Sequence, residues 1–112
     1  MDCIFCKIIA GEIPSAKVYE DDKIFAFRDI NPQAPVHVLI IPKEHIGGAD
    51  EVTPENADIC ARIFEKIPEI AKGEKLSGGY RIISNCGPDA AQSVRHLHFH
   101  LLGGMQMSEK MC

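Results

Sequence analysis

The chain has 112 residues, of which 46% are hydrophobic and 25% charged, and its formal net charge is −4. Such a composition is typical of a globular domain that buries its core without disulfides, and it offers no basic face for nucleic acid. We therefore expect a single domain over residues 1–112 that binds no nucleic acid. The sequence carries no secretory signal and no run of ~18 apolar residues, which predicts a cytoplasmic protein without a membrane partner.

The first half of the chain predicts a short helix, a β-hairpin, a rigid turn and a strongly apolar strand, in that order. These elements lie at residues 4–9, at residues 17–20 paired with 23–28, at residues 31–35 and at residues 36–41. Gly11 and Pro14 are expected to end the helix, and Pro42 to end the apolar strand, because proline lacks the backbone N–H that both structures need.

The second half predicts one long helix over residues 53–72, with Thr53 as its N-cap and Pro54 in its first turn. Isoleucine recurs along it at four-residue spacing, and Pro68 is expected to kink or end it. Two further strands follow the helix, at residues 80–84 and 96–102. Strands on both sides of a long helix, joined by short connections, predict an α+β fold with a mostly antiparallel sheet.

Histidine and apolar residues alternate in the last predicted strand, whose sequence over residues 96–102 is HLHFHLL. Alternation with a period of two places His96, His98 and His100 on one face of a strand. At ~3.3 Å per residue the outer two begin ~13 Å apart, so a single ion bound at ~2.1 Å by all three would be strained. Two neighbouring imidazoles with a third ligand would still make a metallohydrolase site, and this alternative stays open.

A row of imidazoles also suits nucleotidyl transfer by covalent catalysis. Neutral imidazole is a good nucleophile near its unperturbed pKa of ~6.5, and a phosphorylated imidazole is labile, so one displacement becomes two. A second imidazole can assist proton movement, and the phosphate charge requires hydrogen-bond donors. The loop over residues 85–93 precedes the histidines and supplies amide, hydroxyl and backbone N–H groups.

The histidine segment resembles the motif of the histidine triad (HIT) family, and the resemblance extends along nearly the whole chain. The matches are typical of the HINT branch, the histidine triad nucleotide-binding proteins or purine nucleoside phosphoramidases. They lie at residues 4–9, 12–14, 19–22, 29–35, 37, 41–43, 92–94, 96–102 and 103–104. Ala90 and Ala91 depart from the pattern, because this branch often has glycine before Gln92, and we expect a stiffer loop.

The resemblance implies a HIT-like fold: a five-stranded, mostly antiparallel sheet with one long and one short helix, paired into a ten-stranded sheet in a homodimer. It implies a hydrolase that cleaves purine nucleoside 5′-monophosphoramidates or aminoacyl adenylates through a covalent nucleotidyl-histidine at His98 and releases nucleoside monophosphate. No cofactor is expected in catalysis. Two alternatives remain, a nucleotide-binding sensor or scaffold module and a dinucleoside polyphosphate hydrolase of the same superfamily.

The family's roles carry over onto the matching residues of this chain. His98 resembles the nucleophile, and the other expected catalytic residues are His37, His100 and Ser93. Phosphate and leaving-group contacts are expected at Asn85, Ala91, Gln92 and Ser93. The ribose contact is expected at Asp29, and the purine pocket at Ile4, Phe5, Ile8, Phe27 and Ile30. Each apolar residue of this pocket, taken alone, would fit an ordinary core position better.

Cys3 and Cys6 form the one close pair among five cysteines, whose odd count without a secretory signal predicts reduced thiols. A redox pair of cysteines normally follows a strand, and no strand is predicted before Cys3 and Cys6. A second interpretation, two inert thiols, remains open. A third interpretation is a structural zinc site of two thiolates and two imidazoles. The resemblance favours zinc and implies His45 and His96 as the other ligands, which leaves the remaining triad histidines to face the phosphate.

Overall fold

One antiparallel sheet carries a short helix on one face and a long helix on the other. The computed structural model describes residues 3–111. Its elements are α1 (Ile4–Ile9), β1 (Lys17–Glu20), β2 (Ile24–Arg28), β3 (Val36–Pro42), α2 (Asp58–Gly73), β4 (Tyr80–Ile83) and β5 (Phe99–Gly103). The strand order is β1-β2-β3-β5-β4, with every neighbouring pair antiparallel, which confirms the predicted α+β fold. Neither helix is long and apolar enough to cross a membrane, within the described part of the chain.

Side chains of the central strands alternate between two hydrophobic clusters, one on each face of the sheet. The first cluster joins the sheet to α2 and includes Ile24, Ala26, Val38, Ile40, Leu101, Ile59, Ile63 and Ile67. The second cluster joins the sheet to α1 and comprises Phe25, Phe27, Leu39, Ile41, Phe5 and Ile8. Six residues are too few for an isolated helix in water, so α1 depends on this packing for its stability.

Helix α2 begins later than predicted and continues through its proline. It starts at Asp58 rather than Thr53, because residues 54–57 form turns. The Thr53 carbonyl still accepts the Ala57 N–H at 2.8 Å, but the next bonds reach back only three residues, so the continuous α-helical ladder begins later. Pro68 does not end the helix, which runs on to Gly73. Pro68 lies on the exposed side, where water can bond the carbonyl that proline leaves without a donor, while the isoleucine face stays packed.

Strand β5 is shorter than the predicted strand over residues 96–102, because its ladder begins only at Phe99. The first two triad histidines lie in the extended segment before it. The last rung with β3 joins Phe99 to Ile40, and upstream of it the Leu97 N–H donates to the Ile46 carbonyl at 2.6 Å. The histidine segment therefore crosses from the loop after β3 to the sheet. As a result, His96 and His100 have different surroundings.

Candidate active site and metal centre

Two of the three triad imidazoles and His37 form one cluster at the end of the sheet. His37 lies on β3 opposite Leu102 of β5, and its ring centroid is 5.1 Å from that of His100. The rings of His98 and His100 are also 5.1 Å apart. His96 faces away from this cluster, and its ring lies 4.9 Å from that of His45. The segment therefore divides its histidines between two sites.

The hydrogen bonds of His98 define which of its ring nitrogens is free to attack. Its Nδ1 lies 2.7 Å from the carbonyl oxygen of His96, which can only accept, so Nδ1 carries the proton. The lone pair of the neutral ring is then on Nε2. The hydroxyl of Ser84 donates to the His98 carbonyl at 2.8 Å and holds the backbone in place. This arrangement prepares Nε2 as a nucleophile.

A chain of hydrogen bonds defines the tautomers of the two neighbouring imidazoles. The backbone N–H of Gln33 donates to His37 Nδ1 at 3.0 Å, so the neutral ring carries its proton on Nε2. This Nε2–H donates to His100 Nδ1 at 2.9 Å, and His100 in turn carries its proton on Nε2. The Asp29 carboxylate lies 3.5 Å from His37 Nε2 on the same side. This series of hydrogen bonds ends in an N–H donor, Nε2–H of His100.

Burial keeps both of these imidazoles neutral. Desolvation lowers the pKa of His37 below its usual value, although the charge of Asp29 opposes the shift. Burial lowers the pKa of His100 to about 4, with smaller contributions from His98 and His37. At neutral pH the two rings therefore act as hydrogen-bond donors and acceptors rather than as cations.

Asp29, His37 and His100 are close enough to hold a metal ion, since their ligand atoms lie within 4.8 Å of one another. The tautomers argue against it. A metal on His37 Nε2 would displace the proton that the Gln33 N–H forces onto that nitrogen. This observation argues against a metal ion at Asp29, His37 and His100, a group that contains only one of the triad imidazoles.

The loop before the histidines is held by Gln92. Its side-chain nitrogen donates to the carbonyls of Gly47 and Val94, each at 2.8 Å, and its side-chain oxygen accepts the Gly87 N–H at 2.8 Å. Its polar atoms thus organise the loop, and its predicted contact with phosphate remains a prediction. Ser93, next to it, is exposed.

Two more loop residues predicted to bind phosphate are positioned by the backbone of residues 85–91. The side-chain nitrogen of Asn85 donates to the Ala90 carbonyl at 2.9 Å, which leaves the amide oxygen to be used elsewhere. Ala91 is in the left-handed conformation, with φ 59° and ψ 39°. This backbone favours glycine, which accounts physically for glycine at this point of the HINT pattern.

The residues expected to bind the purine divide into buried and exposed groups. Phe5, Ile8 and Phe27 belong to the second hydrophobic cluster, as their ordinary core role predicts. Ile4 is 45% exposed and Ile30 is fully exposed, so these two side chains are accessible to a base. Asp29, expected at the ribose, accepts the Asn31 N–H at 2.8 Å.

A cavity of about 510 Å³ opens beside the His37–His100 pair. Its walls include apolar side chains from β4, β5 and the segment after β5, among them Ile83, Leu102, Met105 and Met107. Asn85 and Arg81 add polar groups to the wall. A leaving group bound here would lie next to the N–H donor of His100.

The predicted metal ligands come together on the other side of the histidine segment. Cys3 Sγ lies 3.3 Å from His96 Nδ1, and Cys6 Sγ lies 3.6 Å from the same atom and 3.4 Å from His45 Nδ1. All four ligand atoms are within 4.8 Å of one another. Zinc bonds of ~2.3 Å to sulfur and ~2.05 Å to nitrogen at tetrahedral angles separate S and N by about 3.5 Å. The donor distances thus fit a tetrahedral zinc ion.

The chemistry of the four donors fits zinc as well. His96 Nε2 donates to the Pro42 carbonyl at 2.9 Å, which leaves the Nδ1 lone pair directed at the thiols, as in many zinc sites. Burial, together with the adjacent Cys3, raises the pKa of the Cys6 thiol, and a divalent cation would reverse that preference. Two thiolates and two imidazoles form the closed donor set of a structural site.

Four groups that position the imidazoles were not predicted from the sequence. They are the Gln33 N–H, the carbonyls of Pro42 and His96, and the hydroxyl of Ser84. Three of the four are backbone groups, which every residue carries and which therefore leave no signal in a sequence. Ser84 is the exception, because its hydroxyl at the end of a predicted strand is a signal that the sequence does show.

Comparisons with known proteins identify the family of the chain. The sequence profile of the HIT domain matches residues 10–107. The 14 kDa zinc-binding protein of Brassica juncea is 51% identical over 109 residues, 96% of each chain. Adenylylsulfatase HINT1 of Arabidopsis thaliana is 50% identical over 107 residues, which cover 94% of this chain and 73% of that protein.

Solved structures are equally similar. A HIT family hydrolase from Clostridium thermocellum superposes with a TM-score of 0.96 at 50% identity, covering 99% of this chain and 97% of the other. A histidine triad protein from Clostridium difficile gives a TM-score of 0.95 at 48% identity, covering 98% and 96%. With a family match over residues 10–107 and relatives of this identity along nearly its whole length, the chain belongs to the HIT domain family.

Proposed function

We propose that the protein is a hydrolase that cleaves purine nucleoside 5′-monophosphoramidates or aminoacyl adenylates through a covalent nucleotidyl-histidine at His98. The observation that carries this proposal is the pair formed by the Nε2 lone pair of His98 and the N–H donor of His100, whose rings are 5.1 Å apart. The names of the relatives support hydrolysis of a nucleotide, since one is called an adenylylsulfatase and another a HIT family hydrolase.

In the first step, His98 Nε2 forms a bond to phosphorus and the bond from phosphorus to the leaving group breaks, at nitrogen in a phosphoramidate and at the acyl oxygen in an aminoacyl adenylate, which leaves as a carboxylate. The positive charge that develops on the imidazole is stabilised at Nδ1–H by the His96 carbonyl, 2.7 Å away. His100 donates its Nε2–H to a phosphate oxygen, because its Nδ1 accepts the His37 N–H, and its low pKa keeps the ring neutral. The departing nitrogen takes one proton, delivered from solvent through the exposed hydroxyl of Ser93.

In the second step, water attacks phosphorus and the bond between phosphorus and His98 Nε2 breaks. The proton of the water passes to solvent, the nucleoside monophosphate leaves, and His98 returns to its neutral tautomer. The purine lies against Ile4 and Ile30, the two exposed apolar residues of the predicted pocket, with Asp29 at the ribose. Asn85, Ala91 and Gln92 form the loop around the phosphate.

The group of Cys3, Cys6, His45 and His96 binds one structural zinc ion, in keeping with the name of the Brassica relative. A zinc ion there supplies cross-linking between α1 and the histidine segment, and the steps at phosphorus use protein groups alone.

We further propose that two copies pair as a homodimer through β4 and α2. Strand β4 is an edge of the sheet, and Phe64 on α2 is 49% exposed beside the ring of Phe99. A twofold interface would cover this apolar surface and extend the sheet to ten strands.

A substrate panel tests the proposed activity. Adenosine and guanosine phosphoramidates, an aminoacyl adenylate, adenylylsulfate and diadenosine polyphosphates are compared by kcat/KM. Phosphoramidates or the aminoacyl adenylate should be cleaved with the highest kcat/KM. Preferential cleavage of diadenosine polyphosphates would replace the proposal with the polyphosphate hydrolase alternative. Tight nucleotide binding without turnover of any substrate would favour a sensor or scaffold module.

A further inference from the structure

His96 takes part in two sites at once. Its Nδ1 faces the thiols of Cys3 and Cys6 at 3.3 and 3.6 Å, while its backbone carbonyl accepts the Nδ1–H of His98 at 2.7 Å. The ring is completely buried, and its Nε2–H is held by the Pro42 carbonyl. A movement of the His96 backbone at the metal site therefore moves the acceptor that defines the tautomer of the nucleophile.

Phe5 makes a second connection between the same two sites. It lies between the two cysteines in sequence, and its ring meets those of His96 and His98 edge to face, with centroids 5.9 and 5.1 Å apart. Cys3 caps α1 by accepting the Cys6 backbone N–H on its sulfur at 3.4 Å. The six-residue helix that carries Phe5 is thus anchored at its first turn by the two thiols.

We propose that the Cys3–Cys6–His45–His96 metal site positions the catalytic centre: a bound metal ion fixes α1 and His96, and through Phe5 and the His96 carbonyl it fixes the orientation of the His98 ring. The same helix carries the exposed Ile4 of the base pocket. Metal and nucleotide therefore bind with positive coupling, a consequence that rests on the proposed function. Coupling free energies of this kind typically change affinity ~5–150-fold, and by linkage each ligand changes the affinity of the other equally.

The tautomer of His98 gives a test that needs no substrate. Side-chain ¹⁵N shifts of the zinc-loaded chain should show His98 with its proton on Nδ1, and removal of zinc should give a mixture of tautomers. His45→Gln removes an exposed ligand and its contacts with Cys6 and His96 while it leaves the other three ligands in the chain, and it is the metal-poor variant to use if stripped wild type unfolds. A His98 tautomer that is unchanged in the folded, metal-poor chain would overturn the proposal.

Cobalt in place of zinc tests the coupling in the loaded protein. Saturating adenosine monophosphate should change the visible absorption of bound Co²⁺ and raise Co²⁺ affinity about tenfold. Phe5→Leu should abolish this response at adenosine monophosphate concentrations at which the variant is shown to bind the nucleotide. Phe25→Leu, a matched change in the same hydrophobic cluster whose ring contact is with Phe27, should retain it. Nucleotide that binds but leaves Co²⁺ affinity within twofold would refute the coupling. Absence of nucleotide binding would instead contradict the proposed function, and the tautomer test would then decide the link between the metal site and His98.

Discussion

His37 Nε2 lies 2.9 Å from His100 Nδ1, and this single contact gives the active site its donor. Because the Gln33 N–H occupies the far nitrogen of His37, the proton between the two rings belongs to His37. His100 is left with an N–H on its outer nitrogen. Two neutral rings in series, anchored by one backbone amide, thus present a fixed donor towards the phosphate.

The low pKa of His100 predicts that the protein loses stability as pH falls. Its pKa is about 4 in the folded chain and ~6.5 when unfolded, so the unfolded chain takes up the proton first. The stability conferred by the neutral ring is complete above pH ~6.5 and is lost progressively down to pH ~4, by up to roughly 3 kcal/mol. Urea titrations at several pH values measure the free energy of unfolding.

The control for this experiment is His100→Gln, which removes the titrating group and keeps polarity. Any loss of metal in acid affects both proteins, so the difference between their pH profiles isolates His100. The variant should lose less free energy of unfolding between pH 7 and pH 4 than the wild type. Parallel profiles would show that His100 is not buried as a neutral ring.

The elements of the fold were predictable where local sequence decides them. Helix α1 has the predicted bounds, because an apolar hexamer is followed by Gly11, whose φ of +81° ends it. The start of α2 depended instead on where continuous four-residue bonds begin, because the Thr53 carbonyl accepts the Ala57 N–H but the bonds that follow reach back only three residues. The start of β5 depended on where its pairing with β3 stops, at Phe99 and Ile40, although β3 itself continues to Pro42, and no local pattern encodes this.

The candidate site was predictable in its chemistry and not in its tautomers. Alternation identified the histidines, because it depends on side-chain type, whereas the spacing of Cys3 and Cys6 left a metal-binding pair as one of three interpretations, which the family resemblance favoured. The proton positions depend on the N–H of Gln33 and the carbonyls of His96 and Pro42, which are fixed by tertiary structure. Sequence thus predicts which imidazoles meet but not which nitrogen attacks.

Replacing Cys3 and Cys6 together by serine should remove the metal and lower stability. Wild type should contain about one zinc per chain by elemental analysis, and the variant none. The melting temperature should fall by roughly 10 °C, because about 2 kcal/mol or more of binding free energy is lost. Cys60→Ser with Cys86→Ser is the matched control, since these cysteines lie outside the metal group, and it should keep its zinc. Wild type that folds without metal at unchanged stability would rule out a structural role.

A charge at Phe64 should separate the homodimer. Phe64→Lys places a charge in the proposed interface twice, once from each copy, and should weaken association at least about 100-fold, because burying each phenylalanine contributes ~1.5–3 kcal/mol. Ile4→Lys is the control, because Ile4 is similarly exposed but lies on α1, on the opposite face of the sheet. Sedimentation at micromolar concentration measures the association of both variants. A wild type that sediments as a monomer would contradict the dimer.

Ala91→Gly should stabilise the protein. The left-handed backbone of Ala91 costs about 1–2 kcal/mol, and glycine relieves it while adding ~0.5–1 kcal/mol of unfolded-state entropy. We expect a net gain of about 0.5–1 kcal/mol in the free energy of unfolding, measured with urea. Ala90→Gly is the control, since Ala90 has an ordinary negative φ, and it should destabilise. An equal change in the free energy of unfolding in both variants would show that the backbone of Ala91 is not the strained position.

The last prediction concerns the nucleophile. His98→Asn keeps a polar side chain but removes the ring nitrogen that attacks, and loss of a nucleophile can cost as much as ~10⁶ in kcat. Nucleoside monophosphate binding should survive, because the base and ribose contacts lie on other residues. In wild type, mass spectrometry of a quenched reaction should find the nucleotidyl group on the peptide that contains His98, provided its hydrolysis is the slower step. Near wild-type turnover by the variant would refute covalent catalysis at His98, and turnover by the variant that disappears without zinc and returns with it would replace covalent catalysis with a metal-dependent hydrolysis.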